Sequence, residues 1–373
     1  MKKKYILTNI PSYIINDNHL GLKELGSSDV LETFAGNSGN CMFWEAAKRI
    51  ITKQTNVKLL SLKYFKKNIE FYKDKIETVV LTTANMIGGE KNFPKTRTEI
   101  LQDNYNVLSR IDCKKYMFSI GAQSFSLGMF EFSKEKKDLY MKYFSIFDYV
   151  NLRGQYTYDL LKHNGIPLDN CEVVGCPSIL LKPIDIGELN SKFEKLKKQT
   201  VNKVKVGINF PASTRLSKLA KRFFSIMDDP DVYTLAVDKT DMYEFVNEYG
   251  SFPTECDNRK DIEKNRKNFI FSGNVFESIE FFRNNVDLMI GTRIHGTILG
   301  LCAGLPSMCV VIDSRTYELC EQLSIPYINC IEKSIEFYTK EELLKIFIDN
   351  FDISKLDGLG EIIKKNTEKY KIW

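Results

Sequence analysis

The stretch "VDLMIGTRIHGTILGLCAGLPSMCVVID", residues 286–313, holds two short apolar runs separated by sequence of helical character. The runs "VDLMI" from Val286 and "MCVVI" from Met308 are bounded by turn residues, which is typical of buried strands. A strand, a helix and a second strand in succession predict two parallel strands in one sheet. This unit therefore indicates an α/β fold.

The same alternation extends in both directions along the chain. A loop with Gly, Ser or Asn follows each run, and a helical stretch comes next, as in "GQYTYDLLKHNG" from Gly154, where Asn164 and Gly165 indicate a helix stop. Further strands are predicted at "TVVLTT" from Thr78, "YMFSI" from Tyr116, "YVNL" from Tyr149, "EVV" from Glu172, "KVKVGINF" from Lys203, "VYTLAV" from Val232, "NFIFS" from Asn268 and "YINC" from Tyr327.

A lysine-rich stretch, residues 181–202, separates the two series of strands and is interpreted as a connection between domains. The length of 373 residues also favours two hydrophobic cores over one. We predict two Rossmann-like domains, residues 1–185 and 186–373, that face a central cleft. Ligands of such sheets bind beyond the carboxyl ends of the strands, so the loops after the strands are the candidate binding residues.

Composition excludes several classes of protein. An apolar fraction of 43% and a charged fraction of 27% indicate a globular chain rather than a disordered one. The 53 basic and 48 acidic residues are interleaved, so the net charge of +5 gives little support to nucleic-acid binding. Nine cysteines without a C-x-x-C pair favour a reducing cytoplasm over secretion and argue against a zinc site.

Neither terminus has the pattern of a membrane-spanning segment. Asn9, Pro11 and Ser12 interrupt the apolar residues of the basic N-terminus, so no signal peptide is predicted. No run reaches the roughly 18 apolar residues that a membrane span needs. The tail "IIKKNTEKYKIW" mixes lysines with aromatic residues, so it is interpreted as a solvated helix, with contact to the anionic inner face of a membrane as the alternative.

Arg293 and His295 lie where the strand "VDLMI" ends, on a short turn between Gly291 and Gly296. Two side chains separated by one residue in such a turn can point into the same cleft, and the flanking glycines leave room for a ligand. A histidine beside a buried strand is often only a satisfied core residue. The neighbouring arginine favours the functional interpretation, since arginine is seldom buried without an anionic partner.

Three other loops carry candidate binding residues. "GNSGN" ends in a helix start, where free N–H groups suit an anion, although a plain turn and N-cap is the favoured interpretation. In "SIGAQS", Gln123 offers an amide to a hydroxyl or phosphate, with loop capping as the alternative. Arg153 has the planar fork that suits carboxylate or phosphate, or it pairs with Asp159 or solvent. The candidates in "GNSGN" are Gly36, Asn37, Gly39 and Asn40.

Asp313 ends the strand "MCVVI" and is a candidate general base, with a helix N-cap as the competing interpretation. "DDPD" from Asp228 is interpreted as a surface turn because it contains proline and precedes a strand. Neither His19 nor His163 has a partner at metal-ligand spacing, so no metal is expected.

These segments, taken in order, resemble the polysaccharide pyruvyl transferase family. The resemblance rests on "GNSGN" before a helix, "SIGAQS", "LRGQYTYDLLKHNGI", "VVGCPSILL" and above all "DLMIGTRIHGTILGLCAGLPSMCVVIDSRTYE". It implies a fold like that of GT-B glycosyltransferases, with the acceptor on the first domain and the donor on the second. The Arg-x-His pair of the family falls on Arg293 and His295. Asn40 stands where the family commonly has Asp, which leaves any role of that carboxylate open.

The resemblance implies transfer of pyruvate from phosphoenolpyruvate to sugar hydroxyls of a surface glycan, which is free or lipid-linked, with no further cofactor. A donor with a phosphate and a carboxylate needs cations, and ketal formation begins with protonation of the methylene carbon, for which histidine is suited. The alternatives are a nucleotide-sugar glycosyltransferase of GT-B architecture and a non-catalytic carbohydrate-binding protein.

Overall fold

The computed structural model describes residues 4–17, 39–88, 95–210, 217–227, 229–235, 269–270 and 274–370. Within them the chain forms two parallel sheets. The first sheet contains β1 Tyr5–Thr8, β2 Lys58–Ser61, β3 Ile76–Thr82, β4 Asn85–Gly88, β5 Lys114–Gln123, β6 Tyr149–Leu152 and β7 Cys171–Val173. The second sheet contains β8 Val206–Asn209, β9 Val232–Leu235, β10 Phe269–Ile270, β11 Leu288–Gly291, β12 Ser307–Val311 and β13 Tyr327–Asn329.

Helices connect the strands and cover the sheets. They are α1 Ser12–Ile15, α2 Asn40–Gln54, α3 Leu62–Lys67, α4 Ile69–Tyr72, α5 Lys95–Leu108, α6 Lys134–Ser145, α7 Gln155–His163, α8 Ile186–Lys198, α9 Ser217–Ile226, α10 Val275–Asn285, α11 Ile294–Cys302, α12 Ser314–Gln322, α13 Lys340–Asn350 and α14 Leu359–Lys369. Short 3-10 turns lie at Lys73–Lys75, Pro177–Leu180, Val201–Lys203 and Ile353–Gly358.

The strand order of each sheet reverses once. The second sheet has the order β10-β9-β8-β11-β12-β13, which reverses between β8 and β11. The first has the order β2-β1-β3-β5-β6-β7, with β4 paired to β5. Ligands of open parallel sheets bind where the order reverses, outside the carboxyl ends of the strands. The segment Thr292–Arg293 after β11 lies at this point of the second sheet.

The predicted α/β class with two Rossmann-like parallel sheets is confirmed. Strands β11 and β12 are fully buried, as expected for apolar strands covered on both faces. Helix α7 ends at Asn164, and Gly165 adopts the left-handed conformation with φ of 73°, as the sequence predicted. Helix α8 lies in the stretch that was interpreted as the connection between domains.

Three strands of the first sheet were missed: β1, β2 and β4. Their sequences are "YILT", "KLLS" and "NMIG". β2 and β4 contain few β-branched or aromatic residues, and β1 lies in the basic N-terminal stretch, so none of them shows the β-branched run that marks the other strands. β1 is central because it pairs with both β2 and β3.

The two predicted halves, residues 1–185 and 186–373, pack closely. Ser314 of α12 donates its backbone N–H to the carbonyl of Ser124, at 2.8 Å. Tyr370, after α14, returns to the first half: its hydroxyl donates to the carbonyl of Gly175, and Gln54 donates to its carbonyl, both at 2.8 Å. The boundary at residue 185 stays a prediction. In the described residues, no helix combines the length and the apolar character needed to cross a membrane.

Candidate active site

Three arginines and one histidine meet in one pocket between the sheets. Arg153 follows β6, Arg293 follows β11, and Arg315 lies in the first turn of α12. His295 lies in the first turn of α11. These four residues line a cavity of about 30 Å³ together with Asn40, Ala84, Asn85 and Ile294. The predicted residues Arg153, Arg293, His295 and Asn40 are therefore brought together by the fold.

Arg153 is one of the most deeply buried side chains, with 1% exposure. Its Nε donates to Ser119 Oγ at 3.3 Å, and one terminal nitrogen donates to Asn85 Oδ1 at 2.9 Å. Its other terminal nitrogen, NH2, is buried without a hydrogen-bond partner among the residues described. The alternative pairing with Asp159 is wrong, since Asp159 accepts from Gln155, and burial excludes solvation. A buried guanidinium with an unused N–H group is suited to hold an anion.

Arg315 was missed from the sequence. It is 8% exposed, and it contacts Asp313 Oδ2 at 3.1 Å. Burial lowers the pKa of Arg315, and the positive charges of Arg293 and Arg153 lower it further, whereas Asp313 opposes the shift. Its Nε has no hydrogen-bond partner in the described structure. The sequence signal for Arg315 is weak: it lies in the first turn of the helix after the buried strand β12, a position that many ordinary helix-start residues share.

Asp313 is the N-cap of α12, in a reciprocal capping box with Thr316. Its Oδ1 accepts from the Thr316 backbone N–H at 2.8 Å, and its Oδ2 faces both Arg315 and Gln123. The capping interpretation is thus observed. The role of general base stays a prediction for a carboxylate that is only 1% exposed and has both oxygens engaged.

His295 is 9% exposed and lies among apolar and cationic groups. Its Nε2 lies 3.6 Å from Cys176 Sγ, and its ring centroid lies 5.8 Å from that of Phe43. Burial lowers the pKa of His295 well below its usual range, and the charges of Arg153, Arg315 and Arg293 add to the shift. Without a ligand, His295 is therefore neutral at physiological pH.

The two glycines beside this pair have a packing role. A Cβ atom on Gly291 would overlap the backbone carbonyl of Asn209, and one on Gly296 would overlap the Asn209 side chain. Asn209 Oδ1 also accepts the backbone N–H of Arg293 at 2.9 Å. The space that a side chain would need at both positions is filled by the end of β8, so the glycines leave no open room there, and their role as substrate-binding residues stays a prediction. They let Asn209 fix the turn that carries Arg293.

The remaining predicted residues have mixed outcomes. Gly36 and Asn37 lie outside the described residues. Gly39 is the N-cap residue of α2, so "GNSGN" does precede a helix, and Asn40 lines the pocket. The Gln123 amide donates to Asp313 Oδ2 at 3.3 Å, which joins the two halves. Among the described residues, no three His, Cys, Asp or Glu side chains group in a way that could hold a metal ion.

Comparison with known proteins gives one family and several distant folds. The profile of the family described as "Polysaccharide pyruvyl transferase" matches residues 37–314. No curated protein matches the chain. An uncharacterized protein from Klebsiella pneumoniae is 13% identical, with 88% of this chain and 93% of that chain covered and a TM-score of 0.42. UDP-GlcNAc 2-epimerase from Neisseria meningitidis, bound to UDP-GlcNAc, is 11% identical, with 99% of each chain covered and a TM-score of 0.44. Anabaena HepE, in complex with UDP and glucose, is 10% identical, with 98% of this chain and 99% of that chain covered and a TM-score of 0.44.

Proposed function

Because this chain belongs to the polysaccharide pyruvyl transferase family, we propose that it transfers pyruvate from phosphoenolpyruvate to two hydroxyls of a sugar, forming a ketal on a cell-surface polysaccharide or its precursor. The observation that carries the proposal is the convergence of Arg153, Arg293 and Arg315 on His295. That arrangement combines a strong positive potential with a single group able to transfer a proton.

The arginines suit the charge of the donor. Phosphoenolpyruvate carries a phosphate and a carboxylate, and guanidinium groups bind both through paired N–H donors. Arg153 comes from the first half, and Arg293 and Arg315 come from the second. The donor would therefore be held by both halves, with most of its charge met by the second, as the predicted donor side requires. Because the empty cavity has room for only about one water molecule, the residues that line it have to move apart when the donor binds.

His295 is proposed to protonate the methylene carbon of the donor. In the unliganded site its pKa is lowered by burial and by the three arginines. A bound phosphate and carboxylate would offset those positive charges and raise the pKa again. His295 would thus become protonated only when phosphoenolpyruvate is bound and its C2–C3 double bond can accept the proton.

The proposed reaction balances in protons. His295 gives a proton to C3, and C2 takes on oxocarbenium character. The first sugar hydroxyl bonds through its oxygen to C2 and releases its proton, and phosphate leaves with the electron pair of the C2–O bond. The second hydroxyl then bonds to C2 and releases its proton, which closes the ketal. Of the two protons released, one returns to His295 and the other goes to the departing phosphate. Asp313 is the proposed base, although its capping bonds have to be exchanged for this role.

The surroundings of the reaction are inferred from the cysteines. All cysteines in the described residues are free, including Cys41, Cys176, Cys302, Cys309 and Cys320 in the interior. Free buried thiols fit a reducing compartment. We therefore place the reaction in the cytoplasm, where phosphoenolpyruvate is available to a sugar acceptor that is free or lipid-linked.

The test is phosphate release from phosphoenolpyruvate by the purified protein with a panel of glycosides. We expect release that depends on the acceptor and a product whose mass increases by one pyruvate ketal. Turnover with a nucleotide sugar and none with phosphoenolpyruvate would instead identify a glycosyltransferase. Saccharide binding without turnover of either donor would identify a binding protein.

A further inference from the structure

Glu318 is a buried carboxyl group to which neither the family resemblance nor the proposed reaction assigns a role, although it ends the stretch on which the resemblance rests. It lies on α12 of the second half, it is 2% exposed, and it reaches into the first half at the start of α7. Its Oε2 accepts the backbone N–H of Thr157 at 2.9 Å, and both its oxygens lie within 2.9 Å of Thr157 Oγ1. All these partners lie across the contact between the halves.

The recess that receives Glu318 exists because two residues lack side chains. A Cβ atom on Gly154 would lie 2.7 Å from Glu318 Cβ. A Cβ atom on Gly121 would lie 2.9 Å from Arg153 Cδ and 3.2 Å from Glu318 Oε1. Glu318 and Arg153 therefore pack side by side on the bare surface of Gly121. Neither can shift without opening a gap beside the other.

We propose that Glu318 is a positioning residue that holds Arg153 in the anion pocket, by a carboxyl group that the second half inserts beside it. Arg153 is fixed from one side by Ser119 and Asn85, and Glu318 closes the other side. The pocket is thus complete only when the two halves are packed. The importance of this role for catalysis rests on the proposed function. The packing of Glu318 against Arg153 does not depend on it.

Protonation decides how much of the Arg153 charge remains for a ligand. Burial raises the pKa of Glu318 from 4.5 to about 7, against the hydrogen bonds of Thr157 and the charge of Arg153, while Asp313 adds to the rise. Tyr156 and Asp159 of α7 and Tyr317 and Glu321 of α12 line the same pocket as Glu318. A neutral Glu318 supports Arg153 without cancelling its charge. An ionised Glu318 competes with the ligand for it.

The sign of the pH dependence follows from this shift. The packed state binds the Glu318 proton more tightly than an open or unfolded state, where the pKa is near 4.5. Packing is therefore favoured at low pH, and this contribution is lost as the pH rises from about 4.5 through about 7. Glutamine keeps the shape and stays neutral, so Glu318→Gln removes the pH dependence and retains the packing.

The first experiment measures melting temperature without any ligand, from about pH 5 to about pH 8. The variants are Glu318→Gln and, as a matched control, Glu321→Gln, which changes an exposed carboxylate one turn along the same helix. We expect the stability of Glu318→Gln to rise relative to wild type as the pH increases, and that of Glu321→Gln to follow wild type. A constant difference between Glu318→Gln and wild type would overturn the inference.

The second experiment measures binding of inorganic sulfate, whose charge is constant over this pH range. We expect Glu318→Gln to match wild type at about pH 5 and to bind sulfate about threefold more tightly at about pH 8. Glu318→Ala should bind more weakly than wild type at both values, because Arg153 loses its support, and glutamine should rescue that loss. Wild-type binding by Glu318→Ala, or a pH-independent ratio for Glu318→Gln, would contradict the positioning role.

Failure of the proposed function and failure of the positioning role of Glu318 give different results. If wild type binds sulfate but shows no acceptor-dependent release of phosphate, the proposed function fails and the role of Glu318 stands on the sulfate and melting results. If wild type turns over phosphoenolpyruvate and Glu318→Ala binds sulfate normally, the positioning role fails alone. If the alanine variant does not fold, the pH dependence of the glutamine variant still decides the outcome.

Discussion

His295 shows how surroundings define the chemistry of one residue. Its position in the sequence left open a core histidine and an acid, and burial by itself fits either. The three arginines distinguish them, because a core histidine has no need of three positive charges that disfavour its protonated form. Such a cluster is costly in the empty protein and is offset when an anion binds.

The first prediction concerns His295→Asn. Asparagine keeps a polar side chain of smaller size but cannot transfer a proton, so we expect kcat to fall by about 10²- to 10⁴-fold with little change in melting temperature. Steady-state phosphate release and thermal melting measure the two effects. The matched control is His163→Asn, which changes a histidine on the surface. If His295→Asn does not fold while His163→Asn melts at the wild-type temperature, the role of His295 is structural.

At the level of elements, the site depends on helix starts that follow buried strands. Helix α12 begins at its capping residue Asp313 and carries Arg315 in its first turn. Helix α11 begins after the turn that Asn209 holds in place. Both strands end at the same edge of the second sheet, so two short turns place all the second-half residues of the pocket.

The second prediction separates the two roles of Asp313. Asparagine is as good an N-cap as aspartate but gives up the ion pair with Arg315, so Asp313→Ala should be about 1 kcal/mol less stable than Asp313→Asn, which is the contribution of the cap. If Asp313 is also the base, both variants lower kcat to the same extent, whatever their difference in the free energy of unfolding. Denaturant unfolding and kcat, measured on both variants, give the answer. Full activity in Asp313→Asn would limit this residue to capping.

The third prediction concerns Gly291→Ala at the end of β11. The added methyl group would overlap the Asn209 carbonyl, so the strands have to move apart, and we expect a loss of about 3 kcal/mol or more in the free energy of unfolding. Gly360→Ala is the matched control, because it lies in α14 with nothing within 4 Å of the new atom. That variant should gain up to about 1 kcal/mol. Equal stability of the two variants would refute the packing role of Gly291.

At the scale of the whole molecule, the sequence predicted what depends on local pattern. The strands β5 to β13 were placed within a few residues, since buried parallel strands read as short apolar runs between turns. The position of Arg153, Arg293 and His295 followed from one rule about the edges of parallel sheets. The strands β1, β2 and β4 were missed because β2 and β4 have few β-branched or aromatic residues and β1 lies in a basic stretch.

Contacts between distant segments could not be predicted. Arg315 looks like an ordinary helix-start residue until the fold places it opposite Arg153, and Cys176 is one cysteine among nine until it contacts His295. Glu318 reads as a solvated residue in a polar helix, yet it is buried by the other half. In each case the environment that defines the role comes from residues far away along the chain.

The measurement that tests the central claim most directly is the number of protons taken up when phosphoenolpyruvate binds. It is obtained by calorimetry at about pH 7.5 in buffers of different ionisation enthalpy, with wild type, His295→Asn and Arg315→Ala. Because the pKa of His295 is low in the empty site and is expected to rise beside the donor, wild type should take up about one proton. His295→Asn should bind without this uptake, and Arg315→Ala should bind more weakly. Binding to wild type without proton uptake, or with the same affinity in Arg315→Ala, would contradict the account.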